Sequence, residues 1–377
     1  MAANASFPVF DLARFEAGSP EEKRALGAEI DAVCRSTGFL AVAGHGVPEA
    51  TIDQAWRKAE AFFSLPPAMK ARAKAPYPGY PYGYFEPEAE SLARSRGVEA
   101  PPDKKESFNG GPLRTSPGLA DPEALGFCFA PTIWPDEPRG FREAWGGYYA
   151  AMENLAARIM RAFAAALDLP EDFFSPFTDA PISALRALNY PALASPGEGG
   201  AIRAGAHTDY GSLTILLPQA GSRGLEILAA DGNWMEVKPI PGAFIVNIGD
   251  LMARWTNDRW TSTLHRVVIP ADGGAARRQS FAFFHQPNWD AEIVVLEACL
   301  APEEMAKYPP VKSGPYLMRK FKSTTGGRAG RNDKARLAGS ATGREGISPI
   351  SGGGRRMRWS PRRPARSLRG SPAGSCR

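Results

Sequence analysis

The sequence predicts a mainly β protein with flanking helices, and three observations carry that expectation. Between about residues 183 and 290 the chain breaks into short runs, SALRALNY, SLTILLP, GLEIL, WMEVKPI, AFIVNI, LHRVVIP and QSFAFF, separated by Gly, Pro, Asn or Asp. Many short strands divided by turn residues specify a sandwich or barrel, because a parallel βαβ sheet would need helical stretches between its strands. Just ahead of them, Trp145, Tyr148, Met152, Leu155, Ile159, Ala162 and Ala166 recur by threes and fours until Pro170, which predicts one long helix over about 141–168 with an apolar stripe to lay on a sheet. Finally, a chain of 377 residues with 44% apolar side chains can bury a large core, and double-sheet folds often run past 200 residues as a single unit.

The remaining elements follow in order. Ser19-Pro20-Glu21-Glu22 places a capping residue, a proline at the first helical position and a glutamate three after the serine, as a helix N-terminus prefers. The helix should continue to about Thr37, with Leu26, Ile30, Val33 and Cys34 on one face and Gly38 as its stop. A second amphipathic helix is expected over about 49–63, with Ile52, Trp56, Ala59 and Phe63 inward. Residues 76–140 are rich in Pro and Gly and read as irregular. Residues 325–377 are Gly, Arg, Ser and Pro with almost no large apolar side chains, too few to offset chain entropy, and are expected to be disordered. The domain expected is therefore 1–324: an amino-terminal region to 140, the backing helix over 141–182, the β core over 183–290 and a closing segment over 291–324.

The net charge of +5 invites a nucleic-acid reading until it is divided along the chain. Residues 325–377 hold 13 of the Lys/Arg and 2 of the Asp/Glu, so the 32 Lys/Arg and 38 Asp/Glu that remain leave residues 1–324 at −6. The basicity belongs to the tail, and the body is mildly acidic. Cys34, Cys128, Cys299 and Cys376 are scattered, with no C-x-x-C pair, which reads as reduced thiols in a cytoplasmic protein. MAANASFPVFDLARF has no basic start followed by an apolar run, and no stretch approaches the roughly 18 apolar residues of a spanning helix. A soluble, unexported protein is expected.

Only four histidines occur, so the surroundings of each are informative. In GAHTDYGSLTILL, His207 and Asp209 stand two apart, a spacing that on an extended strand aims both side chains the same way. His265, in STLHRVVIP, lies 56 residues after Asp209 on another strand-like run. Two imidazoles and one carboxylate on one face of an octahedron leave three positions open, the arrangement that suits Fe(II) oxygenases. A lone H-x-D is more often a surface feature than a metal site, so the pattern needs support from elsewhere. His45 in VAGHGVP is expected to brace a turn.

That support comes 13 residues after His265, in Arg278-Gln279-Ser280. Arg278 and Ser280 share a strand face, so a guanidinium fork and a hydroxyl could together grip a small carboxylate. With these residues in place, the chain resembles the isopenicillin-N-synthase-like branch of the 2-oxoglutarate/Fe(II)-dependent dioxygenase superfamily. The resemblance rests on GAHTDYGSLTILL, NIGDLMARWTND, TSTLHRVVIP and RRQSFAFFHQPN in that order, and on FPVFDL, TGFLAVAGHGVP, AEAFFSLP and DKKESF before them. It covers about residues 6–324.

The resemblance implies a double-stranded β-helix, a jelly-roll relative, with helices on its outer side. It implies that His207, Asp209 and His265 bind Fe(II), that Arg278 and Ser280 hold the distal carboxylate of 2-oxoglutarate, and that Tyr190 in LNYP helps at the same site. Leu188 stands where many plant members carry a co-substrate-contacting asparagine, so that contact is not carried over. The activity implied is hydroxylation or desaturation of a small organic molecule with O2 as oxidant and release of succinate and CO2, ascorbate being a candidate reductant. Arg186, four before Tyr190, together with Phe283 and His285 on the Arg278 strand, is expected to line the substrate side. Three alternatives stay open: an oxidase or cyclase of the same fold that does not use 2-oxoglutarate, a protein that keeps the fold without catalysis, and a nucleic-acid-binding protein working through its tail. The acidic body and the absence of stacking motifs oppose the last. The similarity of RAGAHTDYGS and ARWTND to fungal thymine hydroxylases does not by itself fix a substrate, since one fold serves many.

Overall fold

A computed structural model describes residues 7–93, 102–115, 118–192, 201–270 and 276–324. The expected tail over 325–377 lies outside the described residues.

The chain opens with strand β1 (Val9–Asp11), the short helix α1 (Leu12–Ala17) and helix α2 (Pro20–Ser36). The cap of α2 is reciprocal: Glu22 N–H donates to Ser19 Oγ at 3.3 Å, and Ser19 N–H donates to Glu22 Oε2 at 2.8 Å. After β2 (Phe39–Ala43) come α3 (Glu49–Phe63) and the single turn α4 (Pro67–Lys70). His45 does brace the turn between β2 and α3, its Nδ1 accepting from Val47 N–H at 3.0 Å. Residues 76–140 are less irregular than expected, since they contain β3 (Gly83–Phe85), β4 (Glu106–Gly110) and the short helix α5 (Pro122–Gly126). Helix α6 (Phe141–Ala166) follows. At 26 residues it runs about 39 Å, and α2 and α3 pack along it. Gly27 permits the α2 crossing, because a Cβ there would stand 3.2 Å from the backbone of Ala165 and Ala166.

The second half is almost all strand: β5 (Ala184–Tyr190), β6 (Ile202–His207), β7 (Leu213–Pro218), β8 (Leu225–Leu228), β9 (Trp234–Glu236), β10 (Phe244–Ile248), β11 (His265–Val268) and β12 (Arg278–His285). One helix, α7 (Asp250–Trp255), interrupts them, and a two-stranded ribbon of β13 (Glu292–Ile293) and β14 (Val311–Lys312) leads into the closing helix α8 (Ser313–Thr324). Eight strands form one sheet in the order β1-β2-β10-β7-β12-β5-β4-β3, and four form the other, β6-β11-β8-β9.

Strand alternation sorts the side chains of the large sheet into two cores. On its outer face Leu40, Val42, Leu185, Ala187, Phe244, Val246, Phe281 and Phe283 join the helices in one apolar cluster with Trp145, Tyr148, Met152 and Phe163. On its inner face Phe39, Ala41, Leu188, Tyr190, Ile245 and Ala282 meet Ala204, Leu225, Ile227 and Val267 of the small sheet. Its central strands β2, β7 and β10 are covered on both faces and are apolar almost throughout, and the helices that cover the outer face explain the amphipathic stripe of α6. No helix among the described residues is long and apolar enough to cross a membrane.

Candidate metal centre and co-substrate cavity

His207 and His265 are directly opposite each other in the antiparallel pairing of β6 with β11, which brings their rings to 4.3 Å between centroids. Asp209 is not on a strand. It lies in the turn after β6, held because its carbonyl accepts from Asp250 N–H at 2.8 Å while Leu251 N–H donates to the carbonyl of Gly211 at 3.0 Å. Gly211 is needed in this turn, since a Cβ there would fall 2.2 Å from the His285 carbonyl oxygen. The turn still brings Asp209 Oδ1 to 4.0 Å from His207 Nε2 and 3.8 Å from His265 Nε2. One ligand atom from each of the three residues lies within 4.8 Å of the others.

The donor set fits a divalent metal. His207 Nδ1 is 2.8 Å from the Gly205 carbonyl and His265 Nδ1 is 3.1 Å from that of Thr263. Each Nδ1 therefore carries the proton and donates it, which leaves the Nε2 lone pair aimed at the centre. Burial, followed by the proximity of His265, pushes the His207 pKa down to about 4, so its imidazole is neutral at pH 7. Burial alone would raise the Asp209 pKa. The two imidazoles and hydrogen bonds from Thr214 and Asn247 outweigh that, holding the carboxyl below its ordinary range. Asn247 donates to Asp209 Oδ2 at 2.7 Å, leaving Oδ1 for a metal. Thr214 and Asn247 are register partners on β7 and β10, and nothing in the sequence pattern had singled them out.

The same cavity holds Arg278, Ser280 and Tyr190. Arg278 faces Tyr190 across the β12–β5 pairing and sets its guanidinium 5.1 Å from the ring centre. It is only 6% exposed, yet its partners are Tyr190, through the ring and a side-chain hydrogen bond, and Ser222 Oγ at 3.4 Å, and no carboxylate among the described residues pairs with it. Burial accordingly pushes its pKa down, opposed by Tyr190. A buried cation without a counter-ion is costly, and its chemistry fits a dianionic co-substrate. Leu188, two before Tyr190, presents a hydrocarbon wall to the cavity.

Of the three residues expected on the substrate side, one lines this cavity. Arg186 lines the cavity, tied by both terminal nitrogens to Glu90 at 3.1 and 3.2 Å. Phe283 and His285 are a correction. Side chains alternate along β12, so Arg278, Ser280, Ala282 and Phe284 face the cavity while Phe281, Phe283 and His285 face the other way. Phe283 is fully buried against Tyr149, with ring centres 5.2 Å apart. His285 places Nδ1 2.7 Å from Ser212 Oγ, and burial keeps it neutral with a pKa of about 4. The cavity walls that the sequence did not reveal, Tyr82, Glu90 and Asn109, come from the stretch read as irregular, and Leu317 and Phe321 come from α8.

Two family profiles match the chain: one described as "2OG-Fe(II) oxygenase superfamily" over residues 181–287, the other as "non-haem dioxygenase in morphine synthesis N-terminal" over residues 7–137. A "2-oxoglutarate-Fe(II) type oxidoreductase hxnY" of Emericella nidulans is 31% identical, covering 85% of this chain and 90% of the relative. The chain belongs to the 2-oxoglutarate/Fe(II) oxygenase superfamily. Other members lie at similar distance. "Homoarginine-6-hydroxylase 2-ODD-233" of Oryza sativa subsp. japonica is 33% identical, covering 77% of this chain and 87% of the relative. Among solved structures, a full-length Neurospora crassa protein in complex with alpha-KG and thymine superposes with a TM-score of 0.73 at 29% identity, covering 84% of this chain and 96% of that one. A Caulobacter crescentus protein of the 2OG-Fe(II) oxygenase family gives 0.71 at 29% identity, covering 84% and 99%. This oxygenase therefore has the double-stranded β-helix fold and uses Fe(II), 2-oxoglutarate and O2 to oxidise a small molecule.

Proposed function

We propose that His207, Asp209 and His265 hold the Fe(II), that Arg278, Ser280 and Tyr190 hold the distal carboxylate of 2-oxoglutarate, and that the small molecule hydroxylated beside them is a polar one contacted by Arg186. The observation that carries this reading is the buried Arg278 guanidinium, which shares a cavity with the His-Asp-His cluster and has no carboxylate partner among the described residues. Iron supplies the O2 chemistry, in which 2-oxoglutarate is converted to succinate and CO2 and an oxygen atom is delivered to a C–H bond.

The chain's own residues do the positioning. Gly205 and Thr263 carbonyls fix the ring orientation of His207 and His265, and Asn247 fixes which Asp209 oxygen is free. Arg278 supplies a planar fork matched to a carboxylate, with the Ser280 hydroxyl two residues along the same face. Apolar walls from Leu188, Leu216, Leu225 and Val267 exclude water from the space between. A polar substrate agrees with the charged and amide side chains at the far end of the cavity, and with the thymine in the Neurospora crassa complex, the rice homoarginine hydroxylase and the "Proline hydroxylase buaE" of Petromyces alliaceus. The catalytic unit is residues 1–324, acting in the cytoplasm, and a chain ended at Thr324 should retain full activity.

The test is 2-oxoglutarate turnover by Fe(II)-loaded protein, with succinate and O2 measured together. Succinate should form in step with O2 uptake and rise further with a true substrate. Fe(II)-loaded protein that consumes no 2-oxoglutarate in the presence of any candidate substrate would contradict the proposal.

A further inference from the structure

We infer that the substrate of this oxygenase is a neutral molecule presenting an amide, imide or lactam edge, an N–H beside a C=O, to Arg186 and Asn109, and that it carries no carboxylate there. This deepens the reading above and rests on it.

The far end of the cavity is electrically balanced from within. Arg186 is gripped through both terminal nitrogens by Glu90. Glu90 also accepts from Lys105 at 3.3 Å, and Lys105 reaches Asp103 at 3.0 Å. Lys105 and the two carboxylates are buried and Arg186 is half-buried; burial opposes ionisation of Glu90, but Arg186 and Lys105 outweigh it and hold its pKa down. Asp103 in turn accepts from Gly205 N–H at 2.9 Å, two residues before His207, so the network is braced against the strand that carries the metal ligand. A substrate carboxylate arriving at Arg186 would find the fork already occupied and the Glu90 carboxylate beside it. Arg186 therefore differs from Arg278, whose fork is free of protein carboxylates.

What the cavity does offer is acceptors without donors. Asn109 is the register partner of Arg186 across the β4–β5 pairing, so the two side chains lie next to each other on the same face. Its Nδ2 donates to the Pro81 carbonyl at 3.3 Å, which fixes the orientation of the amide and leaves Oδ1 as its acceptor. Asn109 is 4% exposed, and Oδ1 has no hydrogen-bond partner. Gln286, 2% exposed and also lining the cavity, likewise has an unpartnered Oε1. Buried acceptors are nearly always satisfied, so two in one cavity imply a donor from outside. An arginine has five N–H groups, and Glu90 does not use them all. A guanidinium donor beside an amide acceptor complements the C=O and adjacent N–H of an amide edge.

Binding to the Fe(II)/2-oxoglutarate holoenzyme under argon, followed by calorimetry, tests the inference. The probes are thymine, glutarimide and 2-piperidone, the N-methylated form of each, and benzoate and cyclohexanecarboxylate. At least one N–H compound should bind, with N-methylation weakening it by about tenfold or more, as expected when a buried acceptor goes unpaired. The carboxylates should bind more weakly still. In Asn109→Leu the effect of N-methylation should disappear while 2-oxoglutarate affinity is unchanged. In Glu90→Gln, which frees Arg186, the carboxylates should gain about tenfold, the value of one charged hydrogen bond. The inference is overturned if a carboxylate binds at least as tightly as every N–H compound, if none of the N–H compounds binds at millimolar concentration, or if N-methylation makes no difference. If Glu90→Gln does not fold, the pairing of N-methylation with Asn109→Leu decides. Titrating 2-oxoglutarate before any probe is added reads the co-substrate assignment separately, so its failure and that of the substrate class are distinguishable.

Discussion

Replacing Arg278 with glutamine removes the one buried fork in the cavity that no protein carboxylate occupies. The guanidinium is only 6% exposed, and its partners are all neutral: Tyr190, by a side-chain hydrogen bond and with its ring centre at 5.1 Å, and Ser222 Oγ at 3.4 Å. Its desolvation is poorly offset, so Arg278→Gln should leave the melting temperature of the free protein unchanged or slightly raised. The loss should appear on binding. Truncating one partner of a buried charged pair costs about 2–5 kcal/mol, and at about 1.4 kcal/mol per tenfold this weakens 2-oxoglutarate by about 30- to 3,000-fold. Arg278→Lys should recover part of the affinity, because it restores the charge but not the planar fork. The assay is anaerobic titration of 2-oxoglutarate into the Fe(II) forms, following the metal-to-ligand absorption band. Equal affinity in wild type and Arg278→Gln would refute the reasoning, as would a large drop in free-protein stability with 2-oxoglutarate binding intact.

Three further outcomes are expected. Asp209→Ala should reduce bound iron to background and abolish turnover, with the metal-free melting curve little changed because Asp209 sits in a turn, and iron content per chain measures it. Phe283→Ala should destabilise the fold by about 3–5 kcal/mol in urea unfolding, as truncating a fully buried aromatic does, while the substrate KM stays put because the side chain faces α6. Burial would raise the Asp31 pKa, but hydrogen bonds from Arg259, Trp260 and Arg35 outweigh this and hold it below the ordinary carboxylate range. The stability it contributes is therefore present above the unfolded pKa and is lost as pH falls through the lower folded value. Asp31→Asn should cost about 1.5–3 kcal/mol at pH 7, towards the lower end because the group is partly solvated. In unfolding measured across a pH series that cost should shrink below about pH 4.

Helices α2, α3 and α6 were legible because their signals are local: a capping box, a proline at the first position and an apolar stripe that tertiary structure only had to cover. Strand β2 was not, since FLAVA is buried on both faces and has no alternation to betray it. Strand β4 was hidden for the opposite reason. ESFNG looks like a polar loop, but Glu106 is satisfied inside by Lys70 at 2.7 Å, Tyr84 at 2.5 Å and Asn189 at 2.7 Å, so a charged strand can be wholly buried.

At the site, the cluster of His207, Asp209 and His265 was legible, but not the means of assembling it. Strand spacing was expected to align Asp209 with His207, whereas the turn pinned by α7 does so. The opposite placement of Phe283 and His285 follows from strict alternation on β12: residues an odd number apart from Arg278 face the helices. Glu90 and Asn109 had no local signature at all. They meet Arg186 only through β-pairing and a loop 96 and 77 residues away in sequence, information that no short motif carries.

The most direct measurement is anomalous diffraction at the iron edge from crystals grown anaerobically with Fe(II) and 2-oxoglutarate. The account predicts one strong peak enclosed by His207 Nε2, Asp209 Oδ1 and His265 Nε2, with 2-oxoglutarate density running from it to Arg278. A folded chain with no peak at saturating iron, or with its peak away from those three atoms, would contradict it.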